Sequence, residues 1–167
     1  MNPIRVAILT VSDRSFLGQR EDLSGPGLAG ALPGDVYTVT VQAILPDERN
    51  HISSALRDVA DNDRADVILT TGGTGVTPRD VTPEATREVI EREIPGIAEW
   101  MRIAGRAQTK FSVLSRAVVG NRGKVLIVNL PGSPSGAVES LGAILDLVPH
   151  VLKQLVGVAD HEKPPSE

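Results

Sequence analysis

The chain has 167 residues, 41% of them hydrophobic but only 2% aromatic, and its 17 basic against 21 acidic side chains leave a net charge of −4. With neither a basic block nor stacking aromatics, nucleic acid is an unexpected partner, and no apolar run reaches bilayer-spanning length. The absence of cysteine excludes disulfides, thiolate nucleophiles and Cys-ligated zinc, and the three histidines, His51, His150 and His161, are too far apart to suggest metal-ligand spacing or a histidine base. The N-terminus lacks the charged, apolar and small-residue regions of a signal peptide, so a cytoplasmic protein without membrane contact is expected.

This length suits one core, and the chain reads as a single domain over residues 1–159 with a polar, disordered tail at 160–167. A core of Val, Ile, Leu and Ala suits buried parallel strands covered by helices. The expected fold is therefore α/β, with three layers: a mostly parallel sheet, helices on both faces and one antiparallel hairpin strand.

In chain order, residues 4–11 form a buried first strand that ends in Ser12-Asp13-Arg14. Residues 15–27 read as a loop, 28–32 as a short helix stopped by Pro33-Gly34, and 36–43 as the second strand. Pro46-Asp47-Glu48 opens a helix with Ile52, Leu56 and Val59 on one face, and residues 67–69 make the third strand. Thr82-Pro83-Glu84 starts a helix expected to reach Glu93; Pro95-Gly96 interrupts it, and a further helix over 97–108 carries the only tryptophan, Trp100. Residues 113–119 and 124–129 read as strands joined through Asn121-Arg122-Gly123. The apolar spacing from Val138 to Leu155 indicates a helix kinked or divided at Pro149.

Three loops at strand ends are candidates for chemistry, since helix N-termini point N–H groups into the gap there. Thr70-Thr71-Gly72-Gly73-Thr74-Gly75 combines backbone that can approach a ligand with hydroxyl donors, which suits phosphate; the alternative is a tight turn. It is neither a Walker A loop nor a dinucleotide fingerprint. The second candidate, Asn129-Leu130-Pro131-Gly132-Ser133-Pro134, is an anion-facing turn or a plain capping turn, and the third, Ser12-Asp13, has the same two readings. Asp47 and Asp80 follow two of the strands. Like charges about 4 Å apart repel by roughly 1 kcal/mol in water and roughly 4 at an effective dielectric of 20, so these carboxylates suit a phosphate site only with a cation between, and otherwise are surface caps.

Taken together, the glycine loop, Thr77-Pro78-Arg79-Asp80-Val81-Thr82-Pro83-Glu84-Ala85-Thr86 and Leu130-Pro131-Gly132-Ser133-Pro134 closely resemble the molybdenum-cofactor biosynthesis proteins of the MogA/MoaB type. The resemblance extends in order through Ser12-Asp13, Pro46-Asp47-Glu48, Pro95-Gly96 and Leu114-Ser115-Arg116. It implies a molybdopterin adenylyltransferase that uses Mg²⁺ and ATP, assembles as a trimer or hexamer, and hands its product to a molybdenum insertase. It also implies that Asp47 and Asp80 are catalytic and metal-associated, and that Ser12, Asp13, Thr71, Gly72, Gly73, Thr74, Gly75, Arg79, Ser115, Arg116, Pro131, Gly132 and Ser133 form the pterin and nucleotide pocket. For a remaining phosphate, Arg79, Arg116 and Arg122 are all candidates. Where some relatives follow the Pro-Gly-x-Pro turn with lysine, this chain has Ser135. The alternatives are a MoaB-like binding-only carrier and an insertase, which is expected to need further domains.

Overall fold

Strand β1 (Ile4–Val11), β3 (Val67–Thr71) and β6 (Val125–Leu130) are almost wholly buried. Their near-continuous apolar sequences are what a parallel sheet covered on both faces requires. β2 (Tyr37–Leu45) lies outside them with most side chains at least partly exposed, and β5 (Val119–Arg122) and β4 (Arg92–Glu93) complete the order β2-β1-β3-β6-β5-β4. The first four run parallel; β5 pairs antiparallel with β6, and β4 antiparallel with β5. The structure is a computed structural model describing residues 2–157, so the expected tail at 160–167 lies outside the described residues.

Alternate side chains divide the core into two layers. Val6, Ile8, Val67, Leu69, Leu126 and Val128 face helices α2 (Ser24–Ala31), α5 (Pro95–Gly105), α6 (Pro134–Gly142) and α7 (Val148–Leu155). Ala7, Leu9, Ile68, Val125 and Ile127 face α3 (Arg49–Asp61), through Ile52, Leu56 and Val59, and α4 (Thr82–Arg87), through Ala85. Between the layers, the fully buried Asn129 amide donates to the hydroxyls of Thr70 and Thr86, at 3.0 and 2.9 Å. These polar groups are buried at no cost in lost hydrogen bonds.

Several elements differ from the sequence-based expectation. A short helix α1 (Asp13–Phe16) stands where a loop was expected, capped by the Ser12 hydroxyl, and α2 begins at Ser24 rather than at residue 28. α4 stops at Arg87 instead of Glu93. Pro95 disfavours helical backbone at Ile94, and Glu91 and Ile94 instead donate to the Asn121 and Val119 carbonyls as the chain passes through β4. Residues 110–114 form a 3-10 helix rather than entering a strand, so the hairpin is shorter than expected and Arg122 pairs with Val125 inside it. The expected final helix is divided between α6 and α7, and Pro149 occupies the first turn of α7, where its missing N–H leaves no helical bond unmade.

Candidate active site

Because β2, β1, β3 and β6 run parallel, their carboxyl ends share one edge of the sheet. The chain goes from β1 outward to β2 and then returns to β3 on the other side of β1, which makes the β1/β3 gap a topological switch point. Ser12-Asp13 leaves one side of that gap and the glycine loop leaves the other. The loop passes very close to β1: Gly72 has φ +103°, and a Cβ there would overlap the Val11 carbonyl oxygen. Gly73 has φ +65°. The Gly72 and Gly73 carbonyls accept from the Thr82 hydroxyl (2.9 Å) and N–H (3.1 Å), which ties the loop to the start of α4.

Gly73, Thr74, Gly75, Asp80, Ser115, Pro131, Gly132 and Ser133 line a cavity of about 380 Å³, together with Met101, Arg102 and Phe111 from α5 and the 3-10 helix. Ser12 and Thr71 instead line a polar cleft of about 40 Å³, and Gly132 borders both spaces. The Thr71 hydroxyl donates to the Pro131 carbonyl at 2.6 Å and the Ser24 hydroxyl to the Gly132 carbonyl at 2.9 Å. Ser133 caps α6 by accepting from the Gly136 N–H. The two loops that the sequence singled out as phosphate candidates are thus brought together and oriented by hydroxyls.

Asp13 and Asp47 bind each other's backbone: the Asp13 N–H donates to Asp47 Oδ2 at 2.8 Å and the Asp47 N–H to Asp13 Oδ1 at 2.9 Å. Arg79 donates to Asp13 Oδ2 at 2.6 Å. The two carboxyls are displaced in opposite directions. The Asp47 N–H, with Arg79, holds Asp13 below the usual carboxylate range. Burial, reinforced by the charges of Asp13 and Asp80, pushes Asp47 above it, against the Asp13 N–H and Arg79. Asp80 Oδ2 accepts from the Thr77 N–H and hydroxyl at 2.8 and 2.7 Å. Among the described residues Asp47 Oδ1 and Asp80 Oδ1 accept no hydrogen bond, which leaves an oxygen of each carboxylate uncommitted.

The arginines separate clearly. Arg79 sits beside Asp13, half-exposed, at the edge of the site. Arg116 does not line the cavity; its guanidinium is spent on the Gly75 and Asp80 carbonyls and on Glu84. Arg122, far from the glycine loop, makes a two-point pair with Asp61. Neither of the last two is available to a phosphate here. Sequence reasoning missed Asp22, which accepts from the Thr10 hydroxyl (2.7 Å) and from the Ser24 and Gly25 N–H groups (3.0 Å each) beside the small cleft. The Asp-x-Ser spacing ahead of a helix was the signal for it. It also missed Arg102 and Ser112, which reach the cavity from a helix face and a 3-10 turn whose orientation no local motif encodes.

A glycine-rich loop and a second turn converge beside two carboxylates at the carboxyl edge of a parallel sheet, the edge at which open α/β folds bind their ligands. Residues 7–152 match the family described as "Probable molybdopterin binding domain", and the chain belongs to that family. It is 37% identical over 163 residues to the molybdopterin adenylyltransferase of Helicobacter pylori strain 26695, covering 94% of this chain and 90% of that protein. The Drosophila melanogaster molybdenum cofactor synthesis protein cinnamon is 41% identical over 159 residues, but the chain spans only 26% of its length. The crystal structure of the molybdopterin biosynthesis enzyme MoaB from Thermus thermophilus superposes with a TM-score of 0.87 at 50% identity, covering 92% of this chain and 97% of that one.

Proposed function

We propose that residues 1–159 are one domain that transfers AMP from ATP to the terminal phosphate of molybdopterin, releasing pyrophosphate, in the cytoplasm. The observation that carries this reading is Asp80 on the wall of a cavity shared by the glycine loop and the Pro131-Gly132-Ser133 turn, with Asp47 close behind Gly73. In the reaction an oxygen of the pterin phosphate bonds to the α-phosphorus, and the bond from that phosphorus to the β-phosphate bridging oxygen breaks. A phosphate monoester is already anionic near neutral pH, so no base is required and the work is alignment and charge neutralisation. A cavity without cysteine or histidine suits such chemistry.

The oxygen-only donors of Asp47 and Asp80 fit Mg²⁺, a hard cation that keeps several waters and takes substrate phosphates as ligands. Bound there, Mg²⁺ would neutralise phosphate charge. The chain's own residues do the rest: backbone from Gly73 to Gly75 approaches one phosphate, the Ser133 end of α6 faces the same cavity, and Arg79, paired with Asp13, stands beside the Asp13 and Asp47 carboxylates.

Purified protein incubated with molybdopterin, Mg²⁺ and ATP should form adenylylated product and pyrophosphate. Asp80→Asn keeps an oxygen for Thr77 and so preserves the loop. Pterin affinity should persist while adenylyl transfer falls about a hundred- to a thousandfold; near-parental transfer with the same magnesium dependence would remove Asp80 from the mechanism. A second reading, a binding-only carrier, keeps the same cavity and loops and differs only in turnover. Product formation decides between them. On the adenylyltransferase reading the downstream partner is an insertase that consumes the product.

A further inference from the structure

The segment carrying Asp80 has little holding it. Residues 76–80 form no regular element, Val76 is 65% exposed, and the bonds between Thr77 and Asp80 are internal to the segment. Among the described residues, the hydrogen bonds tying 75–80 to the rest of the protein are the exposed Arg79–Asp13 pair and two from Arg116.

Those two are short and well spaced. Arg116 Nε donates to the Gly75 carbonyl and Nη2 to the Asp80 carbonyl, both at 2.6 Å, while Nη1 bonds to Glu84 on α4. Its own N–H donates to the Thr74 carbonyl at 2.9 Å. The guanidinium thus bridges the start of the segment, its Asp80 end and the helix that follows. Ser115 and Ala117 line the cavity and Arg116 does not; the backbone at Ser115 is extended (φ −65°, ψ 124°), so consecutive side chains point to opposite sides.

We infer that Arg116 is a positioning residue: it braces the Asp80 segment from behind the cavity and sets where the carboxylate stands, without touching substrate. The planar fork matters, because three acceptors in fixed directions suit a guanidinium and not a single ammonium. Pairing with Glu84 also neutralises the charge that would otherwise draw a phosphate to Arg116.

The kinetic part of this inference rests on the adenylyltransferase reading, so the test has a second arm that needs no substrate. Arg116→Gln is expected to lower kcat about ten- to a hundredfold, as a small misplacement of a reacting group does. KM for ATP and molybdopterin should stay within about twofold, the mark of an interaction that matters only in the transition state. Amide exchange should accelerate over residues 75–81 while β1, β3 and β6 keep the protection of the parent. Glu84→Gln, which keeps an acceptor oxygen, should show the same pattern in smaller measure, and Arg116→Lys should not rescue it. A raised KM with kcat retained would make Arg116 a substrate ligand and overturn the inference. Unchanged exchange over 75–81, or acceleration spread evenly over the strands, would overturn it equally. If the parent itself transfers no AMP, the adenylyltransferase reading falls, while the exchange arm still decides whether Arg116 is the brace.

Discussion

At Gly72 and Gly75 the same chemical change should have different consequences. Gly72 combines φ +103° with a Cβ position on top of the Val11 carbonyl, so Gly72→Ala strains the backbone and pushes β3 from β1. We expect a loss of about 1–3 kcal/mol or more in denaturant unfolding. Gly75 is not in the left-handed region, and its Cβ would stand 2.8 Å from Asp80 Oδ2. Gly75→Ala should therefore unfold close to the parent midpoint while transfer falls by up to about a hundredfold, because the displaced group is the carboxylate itself. Arg79 offers a pH test. Its charge lowers both Asp13 and Asp47, so Arg79→Gln should raise both. If Asp47 acts ionised, as the proposed mechanism requires, the acid limb of kcat/KM should then move to higher pH. For stability, Asp13 is depressed in the fold, so its contribution is present above the unfolded carboxylate pKa and is lost as pH falls through the folded value. Acid unfolding of Arg79→Gln should accordingly begin at higher pH.

Helix α2 shows how a poor local sequence becomes an element. Gly25, Pro26, Gly27 and Gly30 disfavour helix, each internal glycine by about 1 kcal/mol relative to alanine. What starts it is Asp22, which takes the Ser24 and Gly25 N–H groups while the Thr10 hydroxyl holds its other oxygen; what keeps it is the fully buried Leu28. Asp22→Ala should cost about 1 kcal/mol in unfolding free energy, in the range of lost caps, and Asp22→Asn less, since an acceptor remains. The opposite case is the 3-10 helix at 110–114. Val113 and Leu114 are apolar enough to read as strand, yet they stay exposed, and the strand begins only at Val119. Local preference lost there to the turn that closes the cavity.

Over the whole molecule, α5 and the 3-10 helix pack together and leave Trp100, Ile103, Phe111, Val113 and Leu114 exposed, large apolar side chains on an aromatic-poor chain. Trp100 is held in place by its Nε1–H bond to the Ala143 carbonyl at 2.9 Å. Exposed apolar surface of this kind marks association sites, and the MogA/MoaB resemblance implies a trimer. Light scattering should report a trimer or hexamer at micromolar concentration, and Ile103→Glu should lower the mass without unfolding the chain; a parent monomer would remove the assembly and leave the enzymatic reading intact. No helix among the described residues is long and apolar enough to cross a membrane.

The sequence by itself determined the glycine loop, the Pro-Gly-Ser turn, the alternating strand and helix order and the candidacy of Asp47 and Asp80. These are local properties: buried apolar runs, positions open only to glycine, and proline at a first helical turn announce themselves within a few residues. Tertiary structure alone decided the strand order, the two-residue β4, the pairing of Asp13 with Asp47 across 34 positions, and the turning of Arg116 away from the cavity toward Gly75, 41 positions away. An arginine carries the same donors whether it meets a substrate phosphate or a backbone carbonyl. Only packing, which leaves each guanidinium a particular set of acceptors within reach, makes that choice.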